Sequence, residues 1–241
     1  MENIYNTFDL TTSLSLLCKN NYTTYIKKRL TKVERLKINI NPSLNEILIG
    51  LLLGDGHIQC RNGNNRFIYS QSSLREHHLN YFYHIFDLFK PFTSKEFKAK
   101  SRSFLDKNTK NTYSSIYFAT LTLPCFTNYR NLFYNIENKK IVPLNINHLL
   151  TPRGLAYWIM DDGSLKNKGL HLSTYNFTYD EVIWLKSALE NLFMPDFLIK
   201  CSIHNHKKGY RIYIWEESMI VVKTYISQFM HKDMLYKITP K

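Results

Sequence analysis

Two stretches decide how this chain reads: Leu48-Ile49-Gly50-Leu51-Leu52-Leu53-Gly54-Asp55-Gly56 and Leu155-Ala156-Tyr157-Trp158-Ile159-Met160-Asp161-Asp162-Gly163. Each is an apolar run ending in Asp-Gly, and they lie 107 residues apart. A match at one fixed offset signals an internal duplication, and the flanking sequence extends it. Arg66–Ser72 and Gly169–Asn176 alternate like half-buried strands. Leu74–Phe89 and Thr178–Phe193 carry apolar residues at helical spacing, with Asp180 and Glu181 in the first turn of the second. Strand-like runs follow at Glu96–Phe104 and Ser114–Thr122, then at Phe197–Asn205 and Tyr210–Trp215. A further helix is predicted near Pro124–Tyr134 and near Glu217–Met230. Each half closes on one pattern, Lys140-Ile-Val-Pro143 and Lys237-Ile-Thr-Pro240, placed 85 and 75 residues after Asp55 and Asp162. The predicted fold is α+β, with two pseudo-symmetric halves, helix-β-β-helix-β-β-helix, at 43–145 and 146–241. Residues 1–42 form an N-terminal extension, with a Lys/Arg-rich helix predicted over Tyr25–Lys37.

Gly50 and Gly54 lie one turn apart on the first apolar run, where a second backbone can approach closely; Ala156 is the small residue of the second. Two such helices packed together bring their C-terminal ends, and so Asp55 and Asp162, side by side. Two carboxylates forced together repel unless a divalent cation sits between them. Helix C-termini also present free carbonyl oxygens, which makes those of Gly54 and Asp161 candidate hard ligands. Mg²⁺ suits such a site, completed by water and phosphate oxygens. A lone Asp-Gly merely ends a helix; two copies on matching apolar runs favour the metal site.

The 241 residues carry 32 Lys and Arg against 19 Asp and Glu, a net charge of +13. Segments 1–42, 43–145 and 146–241 contribute +4, +6 and +3, so the excess is a broad surface and not a basic tail. Such a surface suits a polyanion, nucleic acid before anionic lipid. The apolar runs are too short to span a bilayer. Cys18, Cys60, Cys125 and Cys201 form no CxxC pair, so neither a zinc site nor a disulfide framework is expected. No basic residue precedes Lys19, which argues against a secretory or Arg-rich transit signal. Phe, Tyr, Met, Ile, Asn and Lys total 106, against 28 for Gly, Ala, Arg and Pro, which points to an AT-rich gene. The tripeptide His204-Asn205-His206 is not read as an HNH nuclease motif, because neighbours on a strand point to alternate faces.

Over about residues 43–241 the chain resembles the LAGLIDADG homing endonucleases in their single-chain, two-motif form. The phrase Leu149-Leu-Thr-Pro-Arg-Gly-Leu-Ala-Tyr-Trp-Ile-Met-Asp-Asp-Gly163 carries much of the likeness, which is to intron-encoded enzymes of fungal and yeast mitochondria. The resemblance implies two αββαββα halves joined through the motif helices, with two antiparallel four-stranded sheets forming a saddle in the DNA major groove. It implies metal coordination by Asp55 and Asp162, with Mg²⁺ as the ion, Mn²⁺ as an alternative and Ca²⁺ as a non-catalytic substitute. It places Lys140 and Lys237 as the basic residue of each half and Gln71 as a residue ordering the water network. Tyr175 is read as the counterpart of Gln71 in the second half, with His204 as its substitute. The sequence departs from the family at Tyr157 and Asp161, positions that are commonly small.

The implied reaction is metal-dependent hydrolysis of both strands of a long pseudo-palindromic DNA site, leaving 3′ overhangs. β-Ribbons fit the major groove and present alternate residues to it. The candidates are Gln59, Arg61, Arg66, Tyr69, Lys98, Lys100 and Arg102 in the first half. In the second they are Lys166, Lys168, His171, Lys200, Ser202, His204 and Arg211. The run Lys95–Lys110 reads equally as a solvated loop. The expected molecule is a mitochondrial monomer acting on double-stranded DNA and on no membrane. Two rivals remain: an intron-RNA maturase on the same fold, and a DNA-binding protein that does not cut.

Overall fold

The computed structural model describes residues 30–72, 75–94, 97–105 and 112–239. Cys18, positions 25–29, Leu74, Lys95, Glu96, positions 106–111 and Pro240, all used in the expectations above, lie outside that set.

The two motif helices start in the same way. Asn41 caps α2 (Pro42–Leu53), its Oδ1 accepting the Leu44 N–H at 2.8 Å. Thr151 caps α6 (Pro152–Asp162), its Oγ1 accepting the Gly154 N–H at 3.1 Å. Each has proline in its first turn, where the missing N–H costs nothing. Before α2 comes a short α1 (Lys32–Leu36), held by a Thr31–Glu34 capping box. It is the described part of the predicted basic helix, and Leu30, Ile38 and Ile40 around it pack on the core.

After α2 the chain runs β1 (His57–Arg61), β2 (Asn64–Gln71), α3 (Glu76–Phe89), β3 (Lys100–Leu105), β4 (Thr112–Ala119) and α4 (Thr127–Phe133). A short α5 (Ile146–Leu149) leads into α6. Then follow β5 (Gly163–Lys166), β6 (Gly169–Ser173), α7 (Tyr179–Asn191), β7 (Cys201–His206), β8 (Gly209–Ile214) and α8 (Met219–Ile226). A 3-10 helix over Lys232–Lys237 ends the described chain's regular structure. Both halves are thus αββαββα, as expected. β1 and β5 are too short for alternation alone to delimit them.

Each half has one antiparallel sheet, ordered β1-β2-β4-β3 and β5-β6-β8-β7. Asn62 (φ 49°) and Gly63 (φ 74°) turn β1 into β2, both in the left-handed region that Asn-Gly adopts readily. β2 alternates strictly: Asn65, Phe67, Tyr69 and Gln71 are buried, while Arg66, Ile68 and Ser70 face the other way. The buried face meets α3 in an aromatic core. Phe67 stacks on Phe89 (4.4 Å between centroids), and Phe118 touches Phe67, Phe82, Phe86 and Phe89. The second core is aliphatic, with Leu170, Leu172, Ile212 and Ile214 of the sheet set with Val182, Leu185 and Leu189 of α7. Among the described residues no helix is long and apolar enough to cross a membrane.

Candidate functional site

The two motif helices cross where both lack side chains. A Cβ on Gly50 would lie 2.1 Å from the Gly154 carbonyl oxygen, and one on Gly154 would lie 3.1 Å from that of Glu46. The close approach therefore uses Gly154. Ala156, expected in that role, is fully buried but is not the contact at the crossing. Tyr157 turns to α3, where its hydroxyl meets His84 Nε2 at 2.7 Å and its ring lies against Tyr81. One turn beyond the crossing, the Asp161 side chain fills the space beside Gly54, 2.5 Å from where a Cβ would stand.

The helices then end together. Gly54 closes α2 with its N–H on the Gly50 carbonyl, and Asp55 follows. Asp162 is the last residue of α6. Lys140 donates to the carbonyls of Gly54 (2.8 Å) and Gly56 (2.9 Å). Lys237 donates to those of Met160 (2.5 Å) and Asp161 (2.8 Å). Each lysine thus sits on the carbonyl end of its own half's motif helix, where a cation meets the negative end of the helix dipole. An ammonium has three N–H groups; two bond these carbonyls and one is left for water or phosphate.

Charge is concentrated here. Asp55 opens to solvent on one side, yet burial on its other sides raises its pKa against the opposing pull of Lys237 and Lys140. Burial, then the neighbouring Asp55, pushes Asp162 up to about 7. Burial lowers Lys140 to about 8 against the attraction of Asp162, Asp55 and Asp161, and it lowers Lys237 against the same three carboxylates. Both lysines act on both motif aspartates, so the halves build one composite centre.

This donor set fits a hard divalent cation. Two crowded carboxylates gain from one, and the Gly54 and Asp161 carbonyl oxygens each keep a second lone pair. Among the described residues no group of three or more His, Cys, Asp or Glu is arranged to hold a metal. Solvent and other oxygens from outside the chain would have to complete the shell of such an ion.

The outer faces of the sheets carry most of the predicted DNA contacts. Ile58 is buried, so Gln59 and Arg61 point outward, and Arg66 donates to Gln59 Oε1 at 2.8 Å. Lys100 and Arg102 pair across to Tyr117 and Ser115 on that same face. Lys98 is exposed just before β3. Tyr69 is a correction. Three residues from Arg66 on one strand, it must face the other way, and it is fully buried. Gln71 likewise points to the core side at the end of β2.

In the second half Lys166, His171, Ser202, His204 and Arg211 share the outer face. His171 is nearly buried there, 4.9 Å from the Tyr213 ring, and burial beside Arg211, His204 and Lys166 takes its pKa down to about 4. Lys168 and Lys200 pair with Glu216 and Glu217 at 3.0 Å each. His204 and His206 lie on one face and Asn205 on the other, the alternation that argued against an HNH site. The counterpart of Gln71 changes. His57 pairs with Ile68 and Gly163 with Leu172, so Ser70 and Ser173 stand level with the motif aspartates. The next residue is Gln71 in one half and Thr174, not Tyr175, in the other. Thr174 is buried and donates to the Tyr210 carbonyl at 2.8 Å.

Sequence reasoning missed the Asp161 carboxylate as a hydrogen-bond hub, together with Tyr81 and Gly154. The available signal was an acidic residue inside an apolar helix where the first motif has glycine.

A model of the LAGLIDADG DNA endonuclease family matches residues 45–221. The DNA endonuclease I-ChuI of Chlamydomonas applanata is 28% identical over 204 residues, covering 80% of this chain and 93% of that one. The cytochrome b mRNA maturase bI2 of Saccharomyces cerevisiae is 30% identical over 254 aligned positions, covering 94% of this chain and 54% of that one. Among solved structures, the homing endonuclease I-WcaI bound to its DNA recognition sequence superposes with a TM-score of 0.76 at 23% identity, over 89% of this chain and 95% of that one. With the repeat, the paired helices and the two sheets in place, the chain belongs to the LAGLIDADG DNA endonuclease family.

Proposed function

We infer that this chain is a homing endonuclease: a site-specific enzyme that hydrolyses both strands of a long double-stranded DNA site. The observation that carries the reading is the convergence of Asp55, Asp162, Lys140 and Lys237 at the ends of the paired helices. Homing endonucleases of this family depend on divalent metal in general, and Mg²⁺ is proposed here, with Mn²⁺ as an alternative.

Asp55 and Asp162 would hold the cations, with the Gly54 and Asp161 carbonyls as added ligands. Bound there, divalent ions supply an activated water and charge neutralisation at the scissile phosphates. The protein's own part is position and charge. The third N–H of Lys140 and Lys237 would serve a phosphate oxygen or the attacking water, where it would stabilise charge that builds in the transition state. Gln71 is proposed to order that water. The outer sheet faces supply backbone contacts through Arg61, Arg66, Lys98, Lys100, Arg102, Lys166, Lys168, Lys200 and Arg211. Gln59, His171, Ser202 and His204 supply base-edge contacts.

Residues 43–145 and 146–241 are the proposed half-domains, with 1–42 an added arm. The molecule is proposed to act as a monomer, since one chain carries both motifs, and to be encoded and active in mitochondria. A maturase relative aligned over 94% of the chain favours a second reading, assistance to splicing of its own intron RNA. The test is selection of cleaved sites from a random DNA library in Mg²⁺. One enriched site of about 20 base pairs, roughly two helical turns, supports the endonuclease. No cleavage, with tight binding to intron RNA, would favour the maturase.

A further inference from the structure

The Asp161 carboxylate belongs to the second half, yet among the described residues its hydrogen bonds all come from the first. Its Oδ2 accepts the Asp55 N–H at 3.0 Å. Its Oδ1 accepts the Tyr69 hydroxyl at 2.8 Å and the Tyr81 hydroxyl at 3.1 Å. Tyr69 (β2) and Tyr81 (α3) are both fully buried in the aromatic core, so the carboxylate is anchored by rigid groups. It also lies over Gly54, where any Cβ would collide with it. Gly54 and Asp161 therefore interlock: one motif supplies the carboxylate and the other the space for it. The reverse contact has no means to form, because Gly54 has no side chain. Asp162 instead stays within the hydrogen-bonded ladder of α6. The two aspartates of the centre are held by different devices.

We propose that Asp161 is the positioning residue for Asp55: by accepting the Asp55 amide and tying it to Tyr69 and Tyr81, it aligns the first-half carboxylate from across the interface. This rests on the endonuclease reading above and assigns the Asp161 side chain a role through Asp55 and not as a metal ligand. Three donors already occupy most of its roughly four acceptor directions.

The chemistry of asparagine makes the idea testable. In Asp161→Asn the amide can turn its oxygen to the Asp55 N–H and its NH₂ to the two tyrosine oxygens, which accept as well as donate. All three contacts survive in the asparagine variant. Asp161→Ala removes them, and Tyr69→Phe with Tyr81→Phe removes only the anchor. The first readout is hydrogen exchange at the Asp55 amide in the metal-free protein. The second is the cleavage rate of each strand of an end-labelled target in Mg²⁺, with binding measured in Ca²⁺.

Asp161→Ala should raise Asp55 exchange about tenfold or more. It should slow cleavage about 10–100-fold, the scale of a small misplacement of a reacting group, with binding kept. Asp161→Asn should restore both. The double phenylalanine variant should fall between, and it carries the test if the alanine variant fails to fold. Asp161→Asn as inactive as Asp161→Ala, with the Asp55 amide still protected, would overturn the proposal in favour of direct ligation. Wild-type exchange and rates in Asp161→Ala would overturn it outright. If the wild type itself cuts nothing, the endonuclease reading fails, while the exchange data still decide the contact.

Discussion

At the residue scale, the proposed centre rests on two aspartates that folding makes reluctant to ionise. Asp55→Asn or Asp162→Asn should abolish cleavage in Mg²⁺ while leaving DNA binding in Ca²⁺ largely intact; either variant cutting at the wild-type rate would remove it from the metal site. Lys140→Ala and Lys237→Ala should slow cleavage more than binding, and equal losses in both would reduce the lysines to phosphate anchors. The pKa of Asp162, pushed up to about 7, has two consequences with definite signs. Cation binding requires the carboxylate, so the Mg²⁺ concentration giving half-maximal cleavage should fall as the pH rises from 6 to 8. In the metal-free protein the raised pKa means that folding favours the protonated form. That contribution is full below about pH 4 and is lost as the pH rises through about 7. The melting temperature of metal-free Asp162→Asn should therefore gain on wild type between pH 5 and pH 8, as calorimetry would show. Both motif aspartates were legible because the repeat singled them out. Tyr69 was misplaced because its tyrosine chemistry outweighed its parity with Arg66, which had already assigned it to the core.

At the element scale, the interface is a contact between backbones. Gly50→Ala puts a methyl 2.1 Å from a carbonyl oxygen of the facing helix, where no side chain can move aside. Overpacking of this kind costs about 1–3 kcal/mol, occasionally more, or roughly 2–4 °C per kcal/mol in a chain of this size. Urea unfolding should show the loss, and an unchanged midpoint would mean that the helices separate freely. The same separation would pull Asp55 from Asp162, so activity should fall further than stability. Helix, strand and turn types were readable from period, caps and punctuation. The partner of Gly50 was not. Ala156 and Gly154 are both small, and choosing between them needs the rotation of α6 about its axis, which packing sets. The equivalence of Gln71 with Thr174 likewise depends on strand register, and hydrogen bonding across the sheet decides that.

At the scale of the whole molecule, part of the charge of +13 acquires a location among the described residues. Arg61, Arg66, Lys100 and Arg102 crowd the first outer face, while the second carries Lys166 and Arg211 among His171, His204 and Tyr213. Glu216 and Glu217 neutralise Lys168 and Lys200 at the rim of the second sheet. The first half should therefore contribute more of the salt-dependent affinity. With about 6–10 phosphate contacts, binding should weaken about 10³–10⁵-fold between 50 and 200 mM salt. Charge reversal at Arg66 and Arg102 should flatten that slope more than reversal at Lys168 and Lys200, and equal effects would contradict the asymmetry. The sequence by itself determined the duplication, the αββαββα plan and the two Asp-Gly ends, because periodicity and repetition are properties of the chain. The tertiary structure alone decided that Asp161 reaches across to Asp55, that Gly50 meets Gly154 and that Tyr69 turns inward. Those contacts join residues about a hundred positions apart or depend on which face the core claims, and only packing brings such groups within bonding distance.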